Sequence, residues 1–152
     1  MQRLLLLACL LLAAINAGAN EFVFKDMQGK EQRLSDYRGK WVLVNFWATW
    51  CPPCLEEIPD LVDMYTAHKN TDFAIIGIAM SSSRDSVLAF SRQMEISYPI
   101  IIGNDAIAAQ IGRVDALPTS YLYDPAGKLV SYQAGMVTRE ALENYIRSKS
   151  QK

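Results

Sequence analysis

The stretch Trp41-Val42-Leu43-Val44-Asn45-Phe46-Trp47, running on into Ala48-Thr49-Trp50-Cys51-Pro52-Pro53-Cys54, decides how this chain is read. Its near-continuous apolar run predicts a strand buried on both faces, the pattern of a central, parallel strand in an α/β sheet. Beyond Cys54, Leu55, Ile58, Leu61, Val62 and Tyr65 recur at helical spacing with Glu56, Asp60 and Asp63 between them. That spacing predicts a helix of about four turns ending before Asn70. A strand's carboxyl end therefore meets a helix start at the two cysteines, the junction where α/β folds place their chemistry.

The flanking sequence extends the alternation. Phe73 to Met80 is a second buried strand, and Ser83 caps a helix with Val87, Phe90 and Met94 on its apolar face. Tyr98 to Ile102 is a third strand, with a short helical piece near Ala106 to Ile111. Thr119 to Tyr123 and Lys128 to Gln133 flank Asp124-Pro125-Ala126-Gly127, a type I turn signature, and form an antiparallel hairpin. Thr138 caps a closing helix with Leu142, Tyr145 and Ile146 on its inner face. Ahead of the central strand, Phe22-Val23-Phe24 and Gln32-Arg33-Leu34 pair around Gln28-Gly29. The sum is a three-layer α/β sandwich with a central mixed sheet and helices on both faces.

The chain's 152 residues fit one domain. Fifteen Lys and Arg stand against 16 Asp and Glu with no basic cluster, which gives no electrostatic footprint for nucleic acid. Three Cys and one His can barely supply a structural zinc set, and with Cys9 assigned to the leader below, a zinc fold is effectively excluded. Arg3, the charge-free run Leu4 to Ile15 and the small residues Ala17 and Ala19 form a secretory signal, cleaved after Ala19. The competing reading is an uncleaved anchor, although Leu4 to Ala19 falls short of the roughly 20 residues that span a bilayer. Residues 1–19 are thus the leader and residues 20–152 the domain. Cys9 is filler of the leader, which leaves Cys51 and Cys54 as the domain's two thiols.

Two cysteines separated by two residues at a helix start can alternate between dithiol and disulfide with little cost to the fold. Cys51 faces the unpaired backbone N–H groups and positive dipole end of the first turn, both favouring thiolate, and is the expected nucleophile. Cys54, one turn further in and more shielded, suits the resolving role. Pro53 fits the first turn, where its missing N–H would go unpaired. A purely structural disulfide closing so short a loop adds little stability. A metal site would need His68, fourteen residues on at the helix's far end, and would still lack a fourth ligand. Phe46 and Trp47 read as core, and Met64, Met80 and Met94 as packing.

Asn45 through Pro59 closely resembles the active-site signature of the thioredoxin superfamily, and within it the exported TlpA/ResA/CcmG (DsbE)-like thiol-disulfide oxidoreductases. The resemblance extends over about Leu34 to Ile146. It implies a thioredoxin-like fold with the Cys pair exposed on its rim, facing a cis-proline loop. Pro118 matches that proline, and its cis form rests on the resemblance, because only about 5 to 6% of X-Pro bonds in folded proteins are cis; read alone it is a trans proline opening an edge strand. If cis, it would lie against the Cys pair and expose the backbone of Leu117 to an extended substrate peptide. Trp50 would shield the pair and offer a partner an apolar platform. Thioredoxins carry a buried acid where this chain has Asn45, which cannot take a proton. The nearest candidate base for Cys54 is Glu57, on the same helix face and matched by an acid in ResA-like proteins; the alternative is a solvated carboxylate complementing the helix N-terminus.

The resemblance further implies a periplasmic reductase of disulfides in exported proteins, apocytochrome c cysteines among them, recharged by a membrane electron donor of DsbD or CcdA type and needing no cofactor. The motif alone leaves an oxidant of protein dithiols open. Two further readings fit less well. Peroxiredoxins share the fold but set one more residue between Thr and the peroxidatic Cys than Thr49-Trp50-Cys51 does. Copper-binding assembly factors of the Sco type use three residues between their cysteines and a distant His.

Overall fold

Residues 21–150 are described by a computed structural model, in which the chain runs β1 (Val23–Lys25), β2 (Glu31–Arg33), a 3-10 turn (Leu34–Tyr37), β3 (Trp41–Trp47), α1 (Pro52–His68), β4 (Phe73–Ala79), α2 (Arg84–Gln93), β5 (Ile100–Ile102), α3 (Asp105–Ala108), β6 (Thr119–Tyr123), β7 (Leu129–Ala134) and α4 (Arg139–Ser150). The leader reading of residues 1–19, Cys9 included, lies outside the described residues. Among the described residues no helix is long and apolar enough to cross a membrane.

The apolar run becomes β3, buried at every position and central in a five-stranded sheet of order β5-β4-β3-β6-β7. It pairs in parallel with β4, from Trp41 opposite Phe73 to Trp47 opposite Ala79. On its other side it runs antiparallel to β6, with Phe46 opposite Thr119. The expectation of a parallel strand therefore holds on one edge only. Burial on both faces follows from the layers above and below, whichever way the neighbours point. β1 and β2 form the separate hairpin expected of them.

Alternate residues of the sheet face two cores. Leu43, Trp47, Ile75 and Leu122 pack with Ile58 and Leu61 of α1, Val87 of α2 and Leu142 of α4. Val44, Phe46, Ile76 and Tyr121 pack on the other face against Phe22, Leu34 and Ala108. Three helices thus cover one face, and α3 shares the other with the hairpin and the 3-10 turn. Met64 lies in the first core, with Met80 and Met94 packed at the margins of the two, in keeping with a packing role.

Local signals set most boundaries. Ser83 caps α2 by accepting from the Ser86 N–H, Thr138 caps α4 by accepting from the Ala141 N–H, and Asn104 does the same for α3. Gly127, at φ +76°, closes the β6-β7 turn by donating to Asp124 O at 2.8 Å. β5 starts at Ile100, two residues later than expected, because Pro99 has no N–H to give to a ladder; its carbonyl instead accepts from Gly77 N–H.

Leu61 is fully buried on α1, whereas Glu56 on the same helix faces solvent. Leu61→Ala is expected to lower the unfolding free energy by about 2–5 kcal/mol. Glu56→Ala should change it by no more than about 0.5 kcal/mol. Denaturant unfolding of the two variants measures both.

Candidate active site

Three chain segments converge at the carboxyl end of β3. The β3-α1 junction carries Thr49 and Trp50, and the segment after β4 supports it. Met80 N–H donates to Trp47 O at 2.8 Å, Thr49 N–H to Ser82 Oγ at 3.2 Å and Trp50 Nε1 to Ser81 O at 2.9 Å. The third segment is the loop entering β6, closed by Thr119 Oγ1 donating to Ala116 O at 2.7 Å.

Cys51 is the N-cap of α1, with extended backbone and a carbonyl that accepts from Leu55 N–H at 3.1 Å. Pro52 and Pro53 supply the first two helical positions, where a fixed φ suits the turn. Cys51 and Cys54 are joined by a disulfide, with Sγ–Sγ 2.20 Å and Cα–Cα 5.3 Å. The bonded pair is less open than the resemblance implied: Cys51 is 4% exposed and Cys54 0%. Only Cys51 borders the shallow groove between Trp50, Pro52, Pro53 and residues Val114 to Leu117. Trp50 stands out from that groove at 61% exposure.

The electrostatics of Cys51 also differ from the expectation. Of the first three helical residues, Pro52, Pro53 and Cys54, only Cys54 has an N–H. The dipole of α1 still favours a thiolate at its amino end, but two of the usual backbone donors are missing.

The Leu117–Pro118 peptide bond is cis, so of the two readings of Pro118 the trans edge-strand proline is set aside. Leu117 lines the groove beside Cys51, and Pro118 O accepts from Gly135 N–H at 2.8 Å. His68, by contrast, ends α1, about 25 Å of helix away from Cys51. Its neighbours there are Asp72 at 3.4 Å and Glu143 at 4.0 Å, so it cannot share a metal with the sulfurs.

Glu57 is buried, 2% exposed, one turn beyond Cys54. The reading of it as a solvated carboxylate does not hold. Asn45 Nδ2 donates to its Oε1 at 2.7 Å, and Val137 N–H to its Oε2 at 2.9 Å. Asn45 Nδ2 also donates to Ser120 Oγ at 3.1 Å. Burial raises the Glu57 pKa above the ordinary 4.5, while the bonds from Val137 and Asn45 act in the opposite direction. The sequence reasoning missed Ser120 and Val137. Ser120 left a trace, as a polar residue between apolar ones in a buried strand. Val137 left none, because it acts through its backbone.

Comparisons with known proteins agree with this geometry. Residues 15–132 match the AhpC/TSA family. The thiol-disulfide oxidoreductase ResA of Geobacillus kaustophilus is 35% identical over 135 residues, covering 89% of this chain and 78% of the relative. Among solved structures, a thiol:disulfide interchange protein of the thioredoxin family from Chlorobium tepidum superposes with a TM-score of 0.78 at 26% identity, over 84% of this chain and 92% of that one. A DsbF homologue from Corynebacterium diphtheriae gives 0.75 at 28% identity, over 84% and 83%.

In the oxidised protein neither cysteine titrates, which isolates Glu57. Its carboxyl binds a proton more tightly folded than unfolded, so ionising it destabilises the fold. The stability of wild type relative to Glu57→Gln should therefore fall as pH rises above 4.5 and level off once the folded carboxyl is ionised. Denaturant unfolding from about pH 4 to 8 measures this difference, and a pH-independent difference would contradict the assignment.

Proposed function

Since this chain belongs to the AhpC/TSA family and is a thiol-disulfide oxidoreductase of thioredoxin fold, we propose that it works as an exported reductase of protein disulfides, with Cys51 as nucleophile, Cys54 as resolving thiol and Glu57 as proton acceptor. The observation that carries this reading is the buried carboxylate of Glu57, held one turn from Cys54 on the same face of α1.

In the reduced protein the Cys51 thiolate attacks one sulfur of a client disulfide. The client S–S bond breaks, a Cys51–client disulfide forms, and the released client thiolate takes up a proton. Glu57 then removes the proton from Cys54, whose sulfur attacks Cys51 Sγ. The mixed disulfide breaks, the Cys51–Cys54 bond forms, and the second client thiolate leaves and is protonated. One electron pair passes from the protein's dithiol to the client. Trp50 and the backbone of Leu117 would hold the client strand, with Pro118 beside them, through apolar contact and main-chain pairing.

The direction rests on how weakly Cys51 is stabilised as a thiolate. Strong oxidants of this chemistry owe their power to a stabilised reduced form. Here Pro52 and Pro53 withhold two N–H groups, and the Glu57 carboxylate opposes a second negative charge nearby. A protein so built gives up its electrons readily. We place it in the periplasm after removal of residues 1–19, or held at the membrane by them. A donor of DsbD or CcdA type would recharge it, and its clients would be disulfide-containing exported proteins, apocytochrome c included.

Cys54→Ser in the full chain should accumulate mixed disulfides with its clients, and Cys51→Ser should accumulate none. Non-reducing electrophoresis and mass spectrometry would identify what is trapped. In single-turnover reduction of a protein disulfide, Glu57→Gln should slow resolution by roughly 100-fold or more. Turnover of hydrogen peroxide without a disulfide client, at a rate matching thiol-disulfide exchange, would replace this reading with a thiol peroxidase.

A further inference from the structure

Two backbone donors of one short loop reach two different parts of the site. Gly135 N–H donates to Pro118 O at 2.8 Å, and two residues later Val137 N–H donates to Glu57 Oε2 at 2.9 Å. Gly135 adopts φ +96°, a left-handed conformation open to glycine at little cost. The loop between β7 and α4 is therefore bonded at one end to the buried Pro118, which follows the groove-lining Leu117, and at the other to the buried carboxylate. The exchange steps above use neither bond. A cavity of about 320 Å³ lies against the same loop, walled by Ser120, Gln133, Met136, Val137, Thr138 and Leu142 among others, and gives Val137 room to shift.

We propose that Gly135 to Val137 form a positioning loop that couples occupancy of the groove lined by Leu117 to the basicity of Glu57. The proposal rests on the reading of Glu57 as the proton acceptor for Cys54. A carboxylate that accepts an N–H bond is stabilised as the anion and gives up that stabilisation on taking a proton. A client strand pairing with Leu117 draws on the adjacent Pro118 peptide and on the Gly135 bond to it. The displacement loosens Val137 from Oε2, and Glu57 then binds a proton more readily. It does so while the mixed disulfide awaits attack: the proton moves from Cys54 Sγ to Glu57, the Cys54 sulfur bonds to Cys51 Sγ, and the client sulfur leaves with the electron pair of the broken bond.

The groups facing Glu57 leave this loop as the variable element. Cys54 lies on its own helix, and the buried phenol of Tyr98 is kept protonated by burial and by the charge of Glu57. β3 and β6 contribute the uncharged Asn45 and Ser120.

The test uses the full chain carrying Cys54→Ser, with and without a short cysteine peptide trapped at Cys51, and follows the Glu57 side-chain carboxyl by carbon NMR as pH is varied. Trapping should raise the midpoint by about one pH unit, the scale of one hydrogen bond to a charged group. Replacing the Val137 amide by an ester removes the N–H and keeps the side chain. In that protein the midpoint should already be raised, and trapping should add little. Val137→Ala retains the N–H and should titrate like the parent. A midpoint that does not move on trapping, or that moves equally with amide and ester, would overturn the coupling while leaving exchange intact. Failure to trap any peptide at Cys51 would overturn the exchange reading itself, and the coupling with it.

Discussion

Burying a carboxylate without a cation costs several kcal/mol unless hydrogen bonds replace its water. Glu57 meets that requirement with one donor from β3 and one from the approach to α4. The two donors come from parts of the chain separated by some ninety residues, so the site exists only once the sheet and the last helix have docked on α1. The same requirement accounts for the one polar residue in β3. Asn45 stands among six apolar neighbours with its amide turned to the carboxylate, and Ser120 of β6, directly opposite it in register, shares the same amide. An apolar residue in place of Asn45 would pack well and leave Glu57 with the Val137 N–H as its remaining donor.

The acid and the sulfurs are linked through α1. Two prolines open the helix, its first turn carries no acid, and the buried Glu57 follows one turn beyond Cys54. The helix dipole pulls Cys51 towards thiolate, whereas the missing N–H groups and the carboxylate push against it. That opposition is what the proposed reductase direction rests on. On the exchange reading the cost of burying Glu57 is tied to function, because the charge that destabilises the folded protein is the one proposed to receive the proton of Cys54.

The layers of the fold were legible because each rests on a local signal. Six apolar residues around Asn45 made β3, Ser83 and Thr138 announced two helices, and Asp124 to Gly127 announced a hairpin. The antiparallel neighbour of β3 was less so, since which strand lies beside another is settled by how the chain returns after α3 and not by β3 itself. At the site, the Cys pair and the base candidate were legible from spacing. The burial of Glu57 was not, because it depends on Val137, 80 positions away and acting through a backbone group that any residue but proline would supply. The shortage of N–H donors at Cys51 was present in the sequence all along, written in Pro52 and Pro53, and became plain only when both were placed in the first turn.

The groove beside Cys51 bears on which clients such a site can take. Its walls are Trp50, two prolines, Val114, Ala116 and Leu117, with Asp115 the one charged side chain, and that carboxylate is paired with Arg113 at 2.7 Å. A surface of this kind has little with which to select a charge pattern. What it offers is apolar area and, on the exchange reading, the backbone of Leu117, both of which any extended polypeptide can use. On the exchange reading, discrimination then falls to the accessibility of the client's disulfide and to the chemistry of resolution. That places the deciding step at Cys54 and Glu57, beneath the surface that the client touches, where the position of one proton governs whether the mixed disulfide goes forward.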